Sequence, residues 1–135
     1  MDNRTTVFIA DNAEEFCTGL SAALLHAEGF SVLGTANDGE QAIRMVQKLK
    51  PDVLVLDLML SKQDGLSVLK AVAAMDKKPI TLATSGFVTE YVASAAANLG
   101  VRYLMLKPCD VTAVVERHGM RYEVEVPLVW EEAEL

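Results

Sequence analysis

Five polar side chains stand directly after short apolar runs of this 135-residue sequence. The runs VFIA and VLVL end at Asp11-Asn12 and at Asp57, and two later apolar segments are followed by Ser85 and Lys107. Clustered carboxyl oxygens suit a hard divalent cation such as Mg²⁺, which commonly bridges to a phosphoryl group. A carboxylate beside such a cation can attack phosphorus, while a hydroxyl and an ammonium group stabilise the transferred group. These residue types therefore indicate phosphoryl transfer to an aspartate.

Alternating apolar runs and amphipathic segments must position these five residues. Short apolar runs predict strands buried on both faces, and apolar residues at steps of three and four predict helices. The predicted strands are 7–10, 31–36, 53–56, 80–84 and 101–106. The predicted helices are 13–28, 38–49, 65–76, 89–99 and 111–118.

The helix ends carry their own signals. Asn37 is predicted to cap the second helix, with Glu40 reaching back to it three residues later. Asp64 is predicted to cap the third helix, and Gly29 to end the first in a left-handed conformation.

Strict alternation of five strands with five helices predicts a parallel sheet covered on both faces. We expect an α/β fold, a flavodoxin-like (βα)5 three-layer sandwich whose five-stranded parallel sheet has the order 2-1-3-4-5. Strands 1 and 3 are neighbours in that order, so Asp11 and Asp57 would meet although they are 46 residues apart. Ser85 and Lys107 would close the same crevice at the carboxyl edge of the sheet.

Composition excludes several classes of protein. The formal net charge of -7 argues against direct nucleic acid binding, which rests on Lys and Arg. No apolar stretch is long enough to span a membrane, so we expect a cytoplasmic protein. Cys17 and Cys109 lack metal-site spacing and are expected to be buried free thiols. The first loop, DNAEEF, lacks the phosphate cradle of a flavin site, so we expect no organic cofactor.

The sequence resembles the response-regulator receiver domain of two-component signalling over about residues 5–118. The matching motifs are IADN at Asp11, VLDLML followed by DG around Asp57, TSG at Ser85 and LKP at Lys107. Asp57 and Ser85 are 28 residues apart, and Ser85 and Lys107 are 22 residues apart. Segments such as DGEQAI, KPDVLVLDLML and LGVRYLMLKPCD look most similar to the receiver of the sporulation master regulator of endospore-forming bacteria.

The resemblance implies a role for each matching residue. Asp57 would be the phosphoacceptor, Ser85 the switch hydroxyl and Lys107 the phosphoryl contact. The implied Mg²⁺ ligands are Asp11, Asn12, Asp57 and the backbone carbonyl of Met59. A histidine kinase or a phosphotransfer protein would donate the phosphoryl group, and the response would alter the face formed by helix 4, strand 5 and helix 5. The chain would not be an enzyme beyond self-catalysed phosphoryl transfer to and from Asp57.

Three positions depart from the family pattern. Asn12 replaces a carboxylate, Ser61 replaces a proline, and Leu104 replaces the aromatic residue that normally responds to phosphorylation. These departures favour a second hypothesis, in which the chain is a degenerate receiver that acts as a phosphorylation-independent interaction or dimerisation module. Asp57, Ser85 and Lys107 match the family pattern and favour a phosphoacceptor switch. The residues alone leave both hypotheses open.

The last residues are not explained by the family. We expect a receiver domain at 1–119 and a C-terminal extension at 120–135. Tyr122, Val124 and Val126 alternate with charged residues, which predicts a half-buried edge strand. Such a strand could pair with a sheet edge or with a second copy in a homodimer. A tail without structure is the alternative.

Overall fold

The computed structural model describes residues 4–60, 64–86 and 89–106, where five strands alternate with four helices. The strands are β1 (Thr5–Ala10), β2 (Phe30–Ala36), β3 (Val53–Asp57), β4 (Ile80–Ser85) and β5 (Val101–Leu106). The helices are α1 (Glu14–His26), α2 (Gly39–Leu49), α3 (Gly65–Ala73) and α4 (Glu90–Asn98). The predicted fifth helix, 111–118, and the predicted extension, 120–135, lie outside the described residues.

The sheet confirms the predicted topology. All pairings are parallel and the strand order is β2-β1-β3-β4-β5, so the fold is flavodoxin-like. Right-handed crossovers in this order place α1 on one face and the other three helices on the opposite face. Contacts between α2 and α3 and between α3 and α4 agree with this layer. The carboxyl ends of β1 and β3 therefore lie side by side in the middle of the sheet.

Continuous burial of the inner strands explains why their apolar residues do not alternate with polar ones. Phe8 and Ile9 of β1 and Leu54 and Leu56 of β3 are fully buried because helices cover both faces. Leu20 of α1 packs in the same core. Within the described ranges, no helix is both long and apolar enough to cross a membrane.

The start of α3 confirms one predicted cap, and the start of α2 corrects another. Asp64 accepts a hydrogen bond from the Ser67 amide at 2.8 Å, as predicted. At α2, however, Asp38 rather than Asn37 is the N-cap, accepting from the Gln41 amide at 2.8 Å. Both residue types cap equally well, so the pattern could not separate two adjacent candidates.

The reach-back interaction at α2 also comes from a different residue. The Gln41 side chain, and not that of Glu40, accepts from the Asn37 amide at 3.3 Å. The cap and the reach-back residue are therefore each displaced by one residue from the prediction, while the amide that donates to the reach-back side chain is still that of Asn37. Gly29 has the predicted left-handed backbone, with φ of 96°, but α1 already ends at His26.

A polar cluster closes the amino edge of the sheet. The Asp52 carboxylate accepts from the Thr6 amide at 2.9 Å, from the Thr6 hydroxyl at 3.0 Å and from the Lys77 ammonium at 3.0 Å. The Ile80 amide donates to the Asp52 carbonyl at 2.9 Å, so one residue ties β1, β3 and β4 together. The backbone hydrogen bond from Thr6, aided by Lys77, lowers the pKa of Asp52 below its ordinary value of 3.8.

We expect Asp52→Asn to lower the free energy of unfolding by about 1 kcal/mol at neutral pH, a modest figure because the carboxylate is partly exposed. A lowered folded-state pKa gives stability that is complete above pH 3.8 and is lost as the pH falls through the folded pKa. The difference between wild type and variant should therefore vanish in acid. Urea unfolding from pH 7 to pH 2 measures it, with the exposed Asp76→Asn as the matched control. A difference that persists unchanged in acid would contradict this assignment.

Candidate functional site

Two buried carboxylates form the centre of the carboxyl edge. Ala10 of β1 pairs with Leu56 of β3, so the next residues, Asp11 and Asp57, lie on adjacent strand ends. Neighbouring strands are about 4.8 Å apart, which brings the two carboxylates into one site. Asp11 is only 2% exposed and Asp57 only 3% exposed. The structure thus confirms that residues 46 positions apart meet at this edge.

Backbone amides hold both carboxylates in place. The Ala13 amide donates to Asp11 Oδ1 and the Met59 amide donates to Asp57 Oδ1, each at 2.8 Å. Each aspartate thus bonds the amide two residues later, a turn that Asp forms readily at the end of a strand. One oxygen of each carboxylate is oriented before any ligand arrives.

The hydroxyl predicted to face the same crevice lies at the end of β4. Thr84 pairs in register with Asp57, so Ser85 extends one residue past the phosphoacceptor candidate. Ser85 is fully buried and pairs with Leu106 of β5. Lys107, the next residue, lies outside the described residues.

A buried hydroxyl that sequence reasoning missed stands next to Ser85. Thr84 is 1% exposed, and its Oγ1 finds no hydrogen-bond partner among the described residues. The Thr84 carbonyl, by contrast, accepts from the Leu58 amide at 2.8 Å. No sequence signal distinguishes this threonine from an ordinary strand residue.

The two remaining predicted metal ligands are less buried. Asn12 is exposed, directly after Asp11, and Met59 is 50% exposed, two residues after Asp57. The structure therefore places all four predicted ligand positions and Ser85 at the carboxyl edge of the sheet. Asn12 is thus accessible to solvent, whereas the neighbouring Asp11 is buried.

A polar pocket of about 450 Å³ opens beside Asp11, on the β2 side of the edge. Its lining residues are Asp11, Asn12, Glu14, Cys17, Thr35, Ala36, Asn37 and Gln41. The Cys17 thiol donates to the Asp11 carbonyl at 3.4 Å and confirms the predicted buried free thiol. Sequence reasoning missed the contribution of β2 and α2 because their residues carry no typical ligand spacing.

The donor set at this edge fits a hard divalent cation. Mg²⁺ usually takes one or two carboxylates and completes its shell with neutral oxygens, waters and phosphate oxygens. Asp11 and Asp57 supply two carboxylates, while Asn12 and the Met59 carbonyl are neutral oxygen donors. No group of three His, Cys, Asp or Glu side chains suited to a metal occurs in the described part of the chain. The residues therefore fit Mg²⁺ with two charged donors rather than three.

Leu104, which replaces the aromatic residue of the family pattern, and its neighbour Tyr103 both lie on β5. Leu104 is fully buried and Tyr103 is 2% exposed, so both faces of the strand are covered at this point. Leu104 thus already lies inward in this structure. No large ring at position 104 is available to turn inward in response to a change at Ser85.

Sequence and structure comparisons agree on the relationship of this chain. The family model described as the response regulator receiver domain matches residues 7–118. The signal receiver domain assigned to the response regulator NarL of Mycobacterium tuberculosis is 25% identical, with a TM-score of 0.80 over 88% of this chain and 96% of that chain.

Two further structures share the fold. CheY of Borrelia burgdorferi, solved with CheX, BeF3 and Mg²⁺, is 25% identical with a TM-score of 0.75, covering 87% of this chain and 88% of that one. A Burkholderia pseudomallei response regulator with a phosphorylated aspartic acid, a calcium ion and citrate is 22% identical. Its TM-score is 0.72, over 82% of this chain and 64% of that chain.

Proposed function

We propose that this chain, which belongs to the response regulator receiver family, is a phosphoacceptor switch that is phosphorylated on Asp57. The observation that carries the proposal is the pair of buried carboxylates at adjacent strand ends. Burying two like charges costs free energy unless a cation or donors compensate for them. A divalent cation has the charge that this pair requires, and a cation held beside Asp57 would in turn bind the oxygens of the incoming phosphoryl group. The Mg²⁺-containing complex of the Borrelia relative supports the same assignment.

The proposed reaction transfers a phosphoryl group from a phosphohistidine of a kinase or phosphotransfer protein. An Asp57 carboxylate oxygen forms the new O–P bond as the donor P–N bond breaks, and the imidazole leaves with the electron pair. The Met59 amide fixes Asp57 Oδ1 at 2.8 Å, which orients the carboxylate for attack. Asp11, Asn12, Asp57 and the Met59 carbonyl would hold Mg²⁺. When bound, the cation neutralises charge on the phosphoryl oxygens.

Ser85 and Lys107 complete the proposed site. The Ser85 hydroxyl, buried at the end of β4, would donate to a phosphoryl oxygen, and Lys107 is assigned its contact from the LKP motif. Movement of Ser85 would pull on the start of α4, where Tyr91 is 75% exposed. The response surface proposed here is therefore the face formed by α4, β5 and the predicted fifth helix.

A second candidate function is a degenerate receiver that binds a partner, or a second copy of itself, without phosphorylation. Two observations favour it. Asn12 supplies no charge to the cation site, and Leu104 is already fully buried and so offers no inward movement. The sporulation-type motifs around Asp57 support the phosphoacceptor instead, with a phosphotransfer protein as the donor in a phosphorelay that regulates transcription.

Incubation with acetyl phosphate and Mg²⁺ should add the mass of one phosphoryl group to the wild-type chain. Asp57→Asn should add none because the amide cannot form the acyl phosphate, whereas Asp76→Asn, at an exposed position distant from the edge, should behave like wild type. Intact mass spectrometry measures the adduct. A wild-type chain that takes up no phosphoryl group at any Mg²⁺ concentration would favour the degenerate receiver.

Mg²⁺ should raise the melting temperature of the wild-type chain, and Asn12→Asp should enlarge that increase. Each tenfold gain in affinity adds about 1.4 kcal/mol to the free energy of unfolding at saturating Mg²⁺, or a few degrees. Differential scanning fluorimetry across a Mg²⁺ series measures the increment. Asn98→Asp, which adds the same charge at the exposed end of α4, controls for net charge. Equal increments in both variants would rule out Asn12 as a ligand position.

A further inference from the structure

Leu58 is held from two sides by neighbouring backbone, directly after the phosphoacceptor candidate. Its amide donates to the Thr84 carbonyl at 2.8 Å, and its carbonyl accepts from the Gly65 amide at 3.2 Å. Leu58 is 5% exposed and lies between Asp57 and Met59 in the chain. Gly65, the first residue of α3, is thus hydrogen-bonded to the residue that links Asp57 to Met59.

Gly65 permits a backbone contact that no other residue type would allow. A Cβ atom at Gly65 would overlap Leu58 Cα and would lie 2.9 Å from the Leu58 carbonyl carbon. Both of these are main-chain atoms, so side-chain rotation cannot relieve the overlap. Gly65 is not one of the described glycines with a positive φ, which are Gly29 and Gly100. The glycine is therefore required by the contact and not by its backbone angles.

From this contact we propose that Gly65 is a positioning residue of the Asp57 site. By letting the start of α3 rest against the Leu58 backbone, it sets the position of Asp57 on one side and of Met59 on the other. Met59 matters twice, because its amide fixes Asp57 Oδ1 and its carbonyl is a proposed cation ligand. The inference rests on the proposed function of Asp57, and Gly65 itself touches neither phosphoryl group nor metal.

A variant of the adjacent residue, Asp64, distinguishes the proposed positioning role of Gly65 from a role in starting α3. Asp64 caps α3 through the Ser67 amide at 2.8 Å, and its side chain is exposed. Removing the cap weakens the same helix end without adding an atom next to Leu58. Asp64→Ala is therefore the matched control for Gly65→Ala.

The experiment compares the two variants by amide hydrogen exchange and by the rate of phosphorylation with acetyl phosphate. Gly65→Ala should speed exchange of the Met59 amide and slow adduct formation by about 10- to 100-fold, the effect of a displacement near 1 Å. Asp64→Ala should speed exchange of the Ser67 amide, leave Met59 unchanged and phosphorylate at a rate within about twofold of wild type. Equal effects of the two variants on Met59 and on phosphorylation would overturn the proposal.

The role of Gly65 can still be tested if the wild-type chain is not phosphorylated or if Gly65→Ala does not fold. A wild-type chain that accepts no phosphoryl group would refute the proposed function, while Met59 exchange in the two variants would still decide the role of Gly65. If Gly65→Ala does not fold, native-state exchange of the wild-type chain gives the answer. The Gly65 and Met59 amides should then open with one shared free energy and Ser67 with another. Gly65 opening together with Ser67, and apart from Met59, would contradict the proposal.

Discussion

Two carboxylates buried beside each other are the feature on which the rest of the site depends. Parallel pairing of β1 with β3 puts Asp11 and Asp57 on neighbouring strand ends, and the helical layers on both faces remove them from solvent. A fold that buries like charges this closely must compensate for them through hydrogen bonds or a counterion. Backbone amides at Ala13 and Met59 provide part of that compensation. Two carboxylates at one edge of the sheet are also the charged ligands that a hard divalent cation prefers, which is the physical reason to expect a cation there.

The peptide after Asp57 links this electrostatic centre to the surrounding fold. Leu58 is hydrogen-bonded to β4 through Thr84 and to α3 through Gly65, so the residue after Asp57 is fixed by two elements. On the β4 side, the same strand ends at the buried Ser85. The buried Thr84 hydroxyl, which has no hydrogen-bond partner among the described residues, adjoins this connection. The backbone beside Asp57 is thus hydrogen-bonded to both β4 and α3 before any ligand binds.

Much of the fold could be predicted from the sequence because apolar runs and helix caps are local signals. The sheet order, all five strands and the Asp64 cap were predictable in this way, and so was the meeting of Asp11 with Asp57. The choice between Asn37 and Asp38 as a cap was not, because the two residue types are equivalent locally. The Gly65 contact was also hidden, since the sequence Asp64-Gly65 looks like an ordinary turn. Only the structure shows that the glycine adjoins Leu58.

The pocket beside Asp11 could not be predicted for a related reason. Thr35 and Gln41 come from β2 and α2, and neither residue type indicates a site until the strands pair. The role assigned to Lys107 follows from its position in the LKP motif.

Fluorine NMR with beryllium fluoride and Mg²⁺ tests the central claim most directly, because beryllofluoride occupies an aspartate carboxylate as a phosphoryl group does. The wild-type chain should give bound fluorine resonances distinct from those of free fluoroberyllate. They should require Mg²⁺ and disappear in Asp57→Asn. Bound resonances that persist in Asp57→Asn, or a wild-type chain that shows none at any Mg²⁺ concentration, would contradict the assignment of Asp57 as the phosphoacceptor.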